Sequence, residues 1–209
     1  MAGSAMVEKP TTVYDLENED IFERFNLKKV QFLNKGMSGE VFLVTSRTKP
    51  GKKLAVKTFD LSSDDVRDRS LRQFSTEAGV MQAVSHQHLV PCVMAARCHD
   101  YAALAMPYYP GGDLTRYGKL EPRRANRYMW QVARALEHLH RHHISHNDVK
   151  LENVFLDASD RACLGDFGLS MEVKDESRTA IAGLVGGTRS YWSPEKLQAD
   201  TNARIDPFK

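Results

Sequence analysis

The run His146-Asn147-Asp148-Val149-Lys150-Leu151-Glu152-Asn153, followed by Asp166-Phe167-Gly168, places four chemically useful side chains close together. Asp148 suits the role of proton acceptor for an attacking hydroxyl, and Lys150 can offset negative charge on a transferred phosphoryl group. Asn153 and Asp166 offer the hard oxygen donors that magnesium prefers. Either motif alone is weak. Between them lie two strand-like runs, Val154-Phe155-Leu156 and Ala162-Cys163-Leu164, whose pairing would bring both motifs onto one cleft.

A second constellation lies earlier. Leu33-Asn34-Lys35-Gly36-Met37-Ser38-Gly39-Glu40-Val41 spells a strand, a glycine-containing turn and another strand, where missing side chains let backbone approach a phosphate. A bare glycine pair would signify no more than a hairpin. Lys57 follows on the next strand, with Ala55 on the same side, and the two signals together favour phosphate binding. There is no Gly-x-x-x-x-Gly-Lys-Ser/Thr run, which argues against the other common phosphate-binding design. Glu77 lies on the apolar side of a helical pattern, so it needs a buried partner, and Lys57 is the natural one.

Other chemistries are less well supported. His138, His140, His142, His143 and His146 crowd together, with His138 and His142 one helical turn apart, but no carboxylate or cysteine completes a metal site. At a helix end, imidazoles suit the dipole and solvent. Cys92, Cys98 and Cys163 are odd in number and lack metal-type spacing, which suggests structural thiols in a reducing compartment. With 29 basic and 27 acidic residues, no broad charge favours nucleic acid or an anionic membrane as partner. No apolar run reaches transmembrane length, and Gly3 is one place too late for myristoylation. A soluble cytoplasmic or nuclear protein is the expectation.

These residues need elements to position them. Residues 1–26 read as a polar, acidic extension in which Ile21-Phe22-Glu23-Arg24-Phe25 forms a short docking helix. From Leu27, Val30 and Phe32, then Val41-Phe42-Leu43-Val44, then Leu54-Ala55-Val56-Lys57-Thr58-Phe59 predict an antiparallel meander. Leu71, Phe74, Ala78, Met81 and Val84 predict a helix between Ser70 and Val84, with Glu77 on its apolar face. A long helix should start at Pro122 and present Ala125, Tyr128, Met129, Val132, Leu136 and Leu139 as its apolar positions. Strands, one helix, strands and then a helix predict two lobes.

In these motifs and their order the chain resembles a eukaryotic-type protein kinase from about Leu27 onward. The resemblance implies an α+β bilobal fold: an antiparallel β-sheet amino lobe with one helix and hinge (27–109), and a partial, mainly helical carboxy lobe (110–209). It implies ATP and Mg2+ as cofactors, Lys57 and Glu77 as an activating ion pair, Asp148 as catalytic base, and Asn153 and Asp166 as magnesium ligands. Met106 becomes a gatekeeper and Pro107, Tyr108 and Tyr109 a hinge. Val41, Ala55, Met106 and Phe155 enclose adenine, and an activation segment ends at Ser193-Pro194-Glu195. Lys150 and Gly187-Thr188 resemble the serine/threonine class, so protein hydroxyls are the implied substrate. His146-Asn147-Asp148, Lys150-Leu151-Glu152-Asn153 and Ser193-Pro194-Glu195-Lys196 resemble kinases of large DNA viruses, and the segments Asn153–Leu156 and Leu164–Gly168 resemble herpesvirus kinases.

Three departures from the family pattern stand out. Asn34 replaces the first glycine of the nucleotide loop, and Ser38 its usual aromatic tip. Asn147 replaces an arginine that ordinarily meets a phosphorylated activation segment, which argues against activation through phosphorylation of Thr179 or Thr188. Asp206 falls where the family's central carboxy-lobe helix begins, and the chain stops at Lys209. Two readings follow: a serine/threonine kinase, or a binding module whose incomplete lobe is covered by another kinase that it regulates without catalysis. Transfer to a small molecule is a third, disfavoured by the activation segment.

Overall fold

The computed structural model describes residues 12–36, 39–49, 51–172, 180–181, 187–194, 197 and 204–205. Met37, Ser38, Thr179, Glu195, Lys196, Asp206 and Lys209 lie outside the described residues. The chain divides into two compact units, Met1–Gln82 with Pro91–Tyr108 and Ala83–Val90 with Tyr109–Lys209.

The first unit contains β1 (Tyr14–Asp15), α1 (Ile21–Arg24), β2 (Leu27–Gly36), β3 (Gly39–Ser46), β4 (Lys53–Asp60), α2 (Asp64–Ala83), β5 (Met94–Arg97) and β6 (Tyr101–Pro107). Its sheet has the order β1-β5-β6-β4-β3-β2. All pairs are antiparallel except β1 with β5. The expected meander is therefore β2 to β4, and the expected docking helix is α1.

Strand alternation gives this sheet two apolar faces. Val44, Leu54, Val56, Met94, Ala96, Ala103 and Ala105 form one core cluster with Ile21, Phe22 and Leu27. α1 is thus held by burial, and it is also capped: Asp20 accepts from the Glu23 amide at 3.0 Å and from the Tyr101 hydroxyl at 2.9 Å. On the other face, Val41 stands opposite Lys57 and Ala55 opposite Met106. Phe59, two residues beyond Lys57, meets Phe74 of α2 edge-on at 5.6 Å.

α2 begins at Asp64, six residues before the expected Ser70. Its first turn has few apolar residues to show periodicity; Asp64 and Asp65 suit the positive end of the dipole, and Arg67 donates to the Leu61 carbonyl at 2.7 Å. Val84 is buried but lies beyond the helix end. Phe74, Glu77, Ala78 and Met81 are buried as the periodicity requires.

The second unit contains β7 (Gly112–Asp113), α3 (Pro122–Arg141), β8 (Ile144–Ser145), β9 (Val154–Leu156), β10 (Ala162–Leu164), β11 (Met171–Glu172), β12 (Ala180–Ile181) and β13 (Arg204–Ile205). Single 3-10 turns occupy Leu114–Arg116, Leu151–Asn153 and Arg189–Tyr191. β10, β9 and β7 form one small sheet, β11 pairs with β8, and β12 pairs with β13.

α3 starts at Pro122 as predicted, capped by Glu121, which accepts from the Arg124 amide at 3.0 Å. Tyr128, Gln131, Ala135 and Leu139 are its buried positions. Met129, expected on the apolar side, is instead 70% exposed, beside Trp130 at 60%. The helix packs through a narrower stripe than the apolar letters suggest. Its inner face is fixed to the β9–β10 hairpin: Gln131 accepts from the Ala162 amide at 2.8 Å, and Arg124, Arg127 and Tyr128 converge on Asp160.

At the helix end, His142 donates through Nδ1 to the His138 carbonyl at 2.8 Å, and the two rings lie 4.5 Å apart. Bonds of this kind serve carbonyls in the last turn of a helix.

Candidate functional site

Two groups of predicted site residues form, one in each unit. In the first unit, Lys57 Nζ lies 2.7 Å from Glu77 Oε2, with the two residues 7% and 2% exposed. Both charges are desolvated, so the pair is sensitive to loss of either partner; truncating one side of such a pair typically costs about 3–5 kcal/mol. Val41, Ala55 and Met106 line the same sheet face as Lys57. The Tyr108 amide donates to the Lys53 carbonyl at 3.4 Å.

Leu33, Asn34, Lys35, Gly36, Gly39 and Glu40 form the β2–β3 hairpin, in which Gly36 pairs with Gly39. Met37 and Ser38 lie outside the described residues. Gly39 cannot be replaced without disruption: its φ is +136°, and a Cβ would fall 1.8 Å from the Thr58 carbonyl oxygen. Asn34 accepts from the Lys35 amide at 2.8 Å, and Lys35 pairs with Glu40 at 3.1 Å.

In the second unit, Asp148, Lys150 and Asn153 interlock. Asn153 Nδ2 donates to the Asp148 carbonyl at 2.8 Å and to its Oδ2 at 3.2 Å, while Lys150 Nζ lies 2.8 Å from the same Oδ2. Thr188 occupies the remaining side: its amide and hydroxyl donate to Asp148 Oδ1 at 2.9 and 3.0 Å, and its Oγ1 accepts from Lys150 at 2.8 Å. Burial pushes the Asp148 carboxyl up, but the hydrogen bonds from Lys150 and Thr188 outweigh it and hold the group below its ordinary range. Asp148 is therefore an ionised, oriented carboxylate at neutral pH.

His146 carries the next layer. It is 2% exposed, donates through Nε2 to the Gly165 carbonyl at 3.0 Å, and accepts at Nδ1 from the Asp148 amide at 3.3 Å. A single neutral tautomer meets both demands, and burial pushes the imidazole below its ordinary value. Phe167 packs edge-on against it at 5.4 Å. Gly165 also donates its amide to the Asn153 carbonyl at 2.9 Å, and a Cβ there would lie 2.8 Å from Val90. These contacts link the segment bearing Asp148 to the segment bearing Asp166, which is held at φ +61°.

Asn153 and Asp166 suit a magnesium ion by donor chemistry. The Asn153 amide nitrogen is committed to Asp148, which leaves its oxygen as the ligand end, and Asp166 adds a carboxylate. Among the described residues no group of three or more histidine, cysteine or acidic side chains is arranged to hold a metal. Phe155, on β9, meets the Tyr109 ring at 6.0 Å; burial raises the Tyr109 hydroxyl, which lies against Cys163. Burial also raises the Cys92 thiol to about 11 and the Cys163 thiol to a lesser degree.

The sequence singled out Asp148, Lys150, Asn153 and Asp166, but it weighed His146 only in a histidine cluster and Thr188 only as a class motif and a phosphorylation site, not as partners of this group. Thr188 lies 40 residues from Asp148, so no local spacing announces their contact. Asn147 accepts from the Ser145 hydroxyl at 2.5 Å and donates to the Leu169 carbonyl at 3.1 Å, and neither partner carried a chemical signal in the sequence.

Comparison with known proteins agrees with this geometry. The Protein kinase domain profile matches residues 27–208. The cAMP-dependent protein kinase catalytic subunit 2 of Drosophila melanogaster is 32% identical over 79% of this chain and 46% of its own length. Ribosomal protein S6 kinase alpha-6 of Mus musculus is 35% identical over 82% of this chain and 22% of its own length. A serine/threonine-protein kinase of Myxococcus xanthus is 33% identical over 84% and 22% respectively. The chain therefore spans less than half the length of these curated relatives. With a profile match over most of its length, and with the α+β elements and motif order that the match requires, the chain belongs to the protein kinase family.

Proposed function

We propose that this chain is the ATP- and Mg2+-dependent phosphotransferase part of a protein serine/threonine kinase. The observation that carries the reading is the Asp148–Lys150–Thr188 triad, because it provides an ionised carboxylate and a cation together on an orienting hydroxyl. The substrate hydroxyl oxygen attacks the γ-phosphorus, its proton passes to an Asp148 oxygen, and the bond to the β-phosphate oxygen breaks to release ADP. Lys150 offsets the charge on the moving phosphoryl group. Lys57, oriented by Glu77, is assigned to the α- and β-phosphates. Leu33 to Val41, including Met37 and Ser38, with Ala55, Met106, Tyr108, Tyr109 and Phe155, are assigned to the nucleotide. Asn153 and Asp166 would hold magnesium, which when bound neutralises charge on the phosphate oxygens.

The test is incorporation of radiolabelled phosphate into a mixed serine/threonine substrate by wild type, Asp148→Asn and Lys57→Met. Wild-type incorporation should fall by at least about a hundredfold in either variant, consistent with loss of general-base or charge-positioning catalysis. Equal signals in all three would defeat the reading. Serine/threonine selectivity is supported by the relatives and by Thr188 beside Lys150. An origin in a large DNA virus rests on the spelling of the segments 146–156, 164–168 and 193–196.

A second reading, a kinase-binding module that regulates its partner without catalysis, is favoured by the adjacent exposed Met129 and Trp130 on α3. Nucleotide binding without turnover, together with retention of a partner kinase that a Met129→Ser/Trp130→Ser variant loses, would select it. Among the described residues no helix is long and apolar enough to cross a membrane.

A further inference from the structure

His99 lies in the turn between β5 and β6, and both of its backbone groups reach outside that turn. Its amide donates to the Glu17 carbonyl at 2.8 Å, and its carbonyl accepts from Arg67 Nη1 at 3.2 Å. Glu17 belongs to the segment that enters the sheet through β1, and Arg67 lies in the first turn of α2. A single residue thus stands between the amino-terminal segment and the helix that carries Glu77.

Each side of this joint is reinforced. Toward the segment, the Leu16 amide donates to the Arg97 carbonyl at 2.9 Å, Arg97 Nε donates to Asp15 at 2.9 Å, and the Tyr101 hydroxyl donates to Asp20. Toward the helix, Arg67 Nη1 also donates to the Leu61 carbonyl at 2.7 Å, and the Leu61 amide donates to the Asp100 carbonyl at 2.8 Å. Nη1 carries two N–H groups, one for each carbonyl it holds.

The first half of α2 has no apolar anchor. From Asp64 to Gln73 no side chain is buried, and the first that is, Phe74, packs against Phe59. A helix buried only along its second half tilts about that contact unless its first turns are tied. Arg67 and Glu77 are ten residues apart, about 15 Å along a stiff helix. Tilting about Phe74 changes the reach of Glu77 to Lys57, and a 2.7 Å contact tolerates little displacement.

We propose that Arg67 is a positioning residue that, through His99, couples the docked segment 14–20 to the Lys57–Glu77 pair, so that this segment is a built-in activator of the chain. The functional half of this inference rests on the kinase reading above; the structural half does not.

The experiment uses the full chain with three variants: Arg67→Met, Arg67→Lys, and Asp15→Ala/Asp20→Ala, which loosens the segment on both sides of Glu17 without touching α2. Amide hydrogen exchange at residues 67–72 should quicken about tenfold in Arg67→Met, the scale expected for a lost hydrogen bond from a charged donor. Arg67→Lys keeps a donor and should recover most of the protection, while the Asp15/Asp20 variant should quicken the same amides. The dissociation constant of a fluorescent ATP analogue should rise about fivefold in Arg67→Met and in the Asp15/Asp20 variant, and no further when the two are combined, because they act along one path. Unchanged exchange at residues 67–72 in Arg67→Met overturns the tie, and additive effects on nucleotide affinity overturn the coupling. A lower urea midpoint in Arg67→Met with unchanged nucleotide affinity would mean a merely structural role and overturn the positioning assignment. If wild type binds no nucleotide, the kinase reading fails, and exchange in the Asp15/Asp20 variant still decides whether the segment holds α2.

Discussion

At the residue scale, the site is defined by shared oxygens and protons. Asp148 Oδ1 receives two donors from Thr188, and Oδ2 receives Asn153 and Lys150, so the carboxylate has little rotational freedom. Thr188→Ala removes one donor to Asp148 and the acceptor of Lys150. It should lower kcat by about tenfold, while Thr188→Ser, which keeps the hydroxyl, should restore most of the activity. Steady-state kinetics on both variants provide the check, and an equally impaired Ser variant would mean that the threonine methyl, not the hydroxyl, matters. The grouping of Asp148, Lys150 and Asn153 was legible in the sequence because the three lie within six positions of one another. The role of Thr188 was not, because a hydroxyl acquires one only from what it touches.

At the element scale, the first unit depends on a segment that the sequence marks as an extension. α1 has only four residues and is far too short to persist alone, so burial and capping must hold it. Ile21 is 0% exposed, its amide donates to the Tyr101 hydroxyl at 3.1 Å, and Phe22 stacks on Tyr101 at 6.1 Å. Ile21→Ala should therefore cost about 2–5 kcal/mol in a urea unfolding experiment, as in other buried aliphatic truncations. A cost near zero would show that the segment contributes nothing to the sheet it covers. The docking helix was readable from five letters with apolar side chains at suitable spacing. The strand before it was not, since the two-residue β1 exists only through its parallel pairing with β5, about 80 residues away along the chain. The early start of α2 and the exposure of Met129 have a similar cause: apolar spacing reports which positions can be buried, and the neighbouring elements decide which ones are.

At the scale of the whole molecule, pH couples the site to stability. His146 is neutral when folded, with its value pushed below the ordinary 6.5 by burial, and His86 is lowered for the same leading reason. A lowered histidine value means that the unfolded chain binds the proton first as pH falls. The stability it contributes is complete above the unfolded value and is lost as pH drops from about 6.5 toward the depressed native value. For a histidine that stays neutral when folded the loss reaches about 1.4 kcal/mol by pH 5.5. Asp148, Asp157 and Asp160 have lowered values, so their contribution is lost only below the ordinary carboxylate value of 3.8. Urea midpoints measured from pH 7.5 to 5.0 should fall through the histidine window, and His146→Gln should flatten that slope; identical slopes in the two proteins would overturn the assignment. The sequence by itself determined the family, because its motifs combine particular residue types at short fixed spacings. Only the tertiary structure decided the partners: Thr188 on Asp148, Leu169 on Asn147 and Gly165 on His146. Those contacts join residues 19 to 40 apart through irregular backbone, where neither the helical nor the strand period carries information.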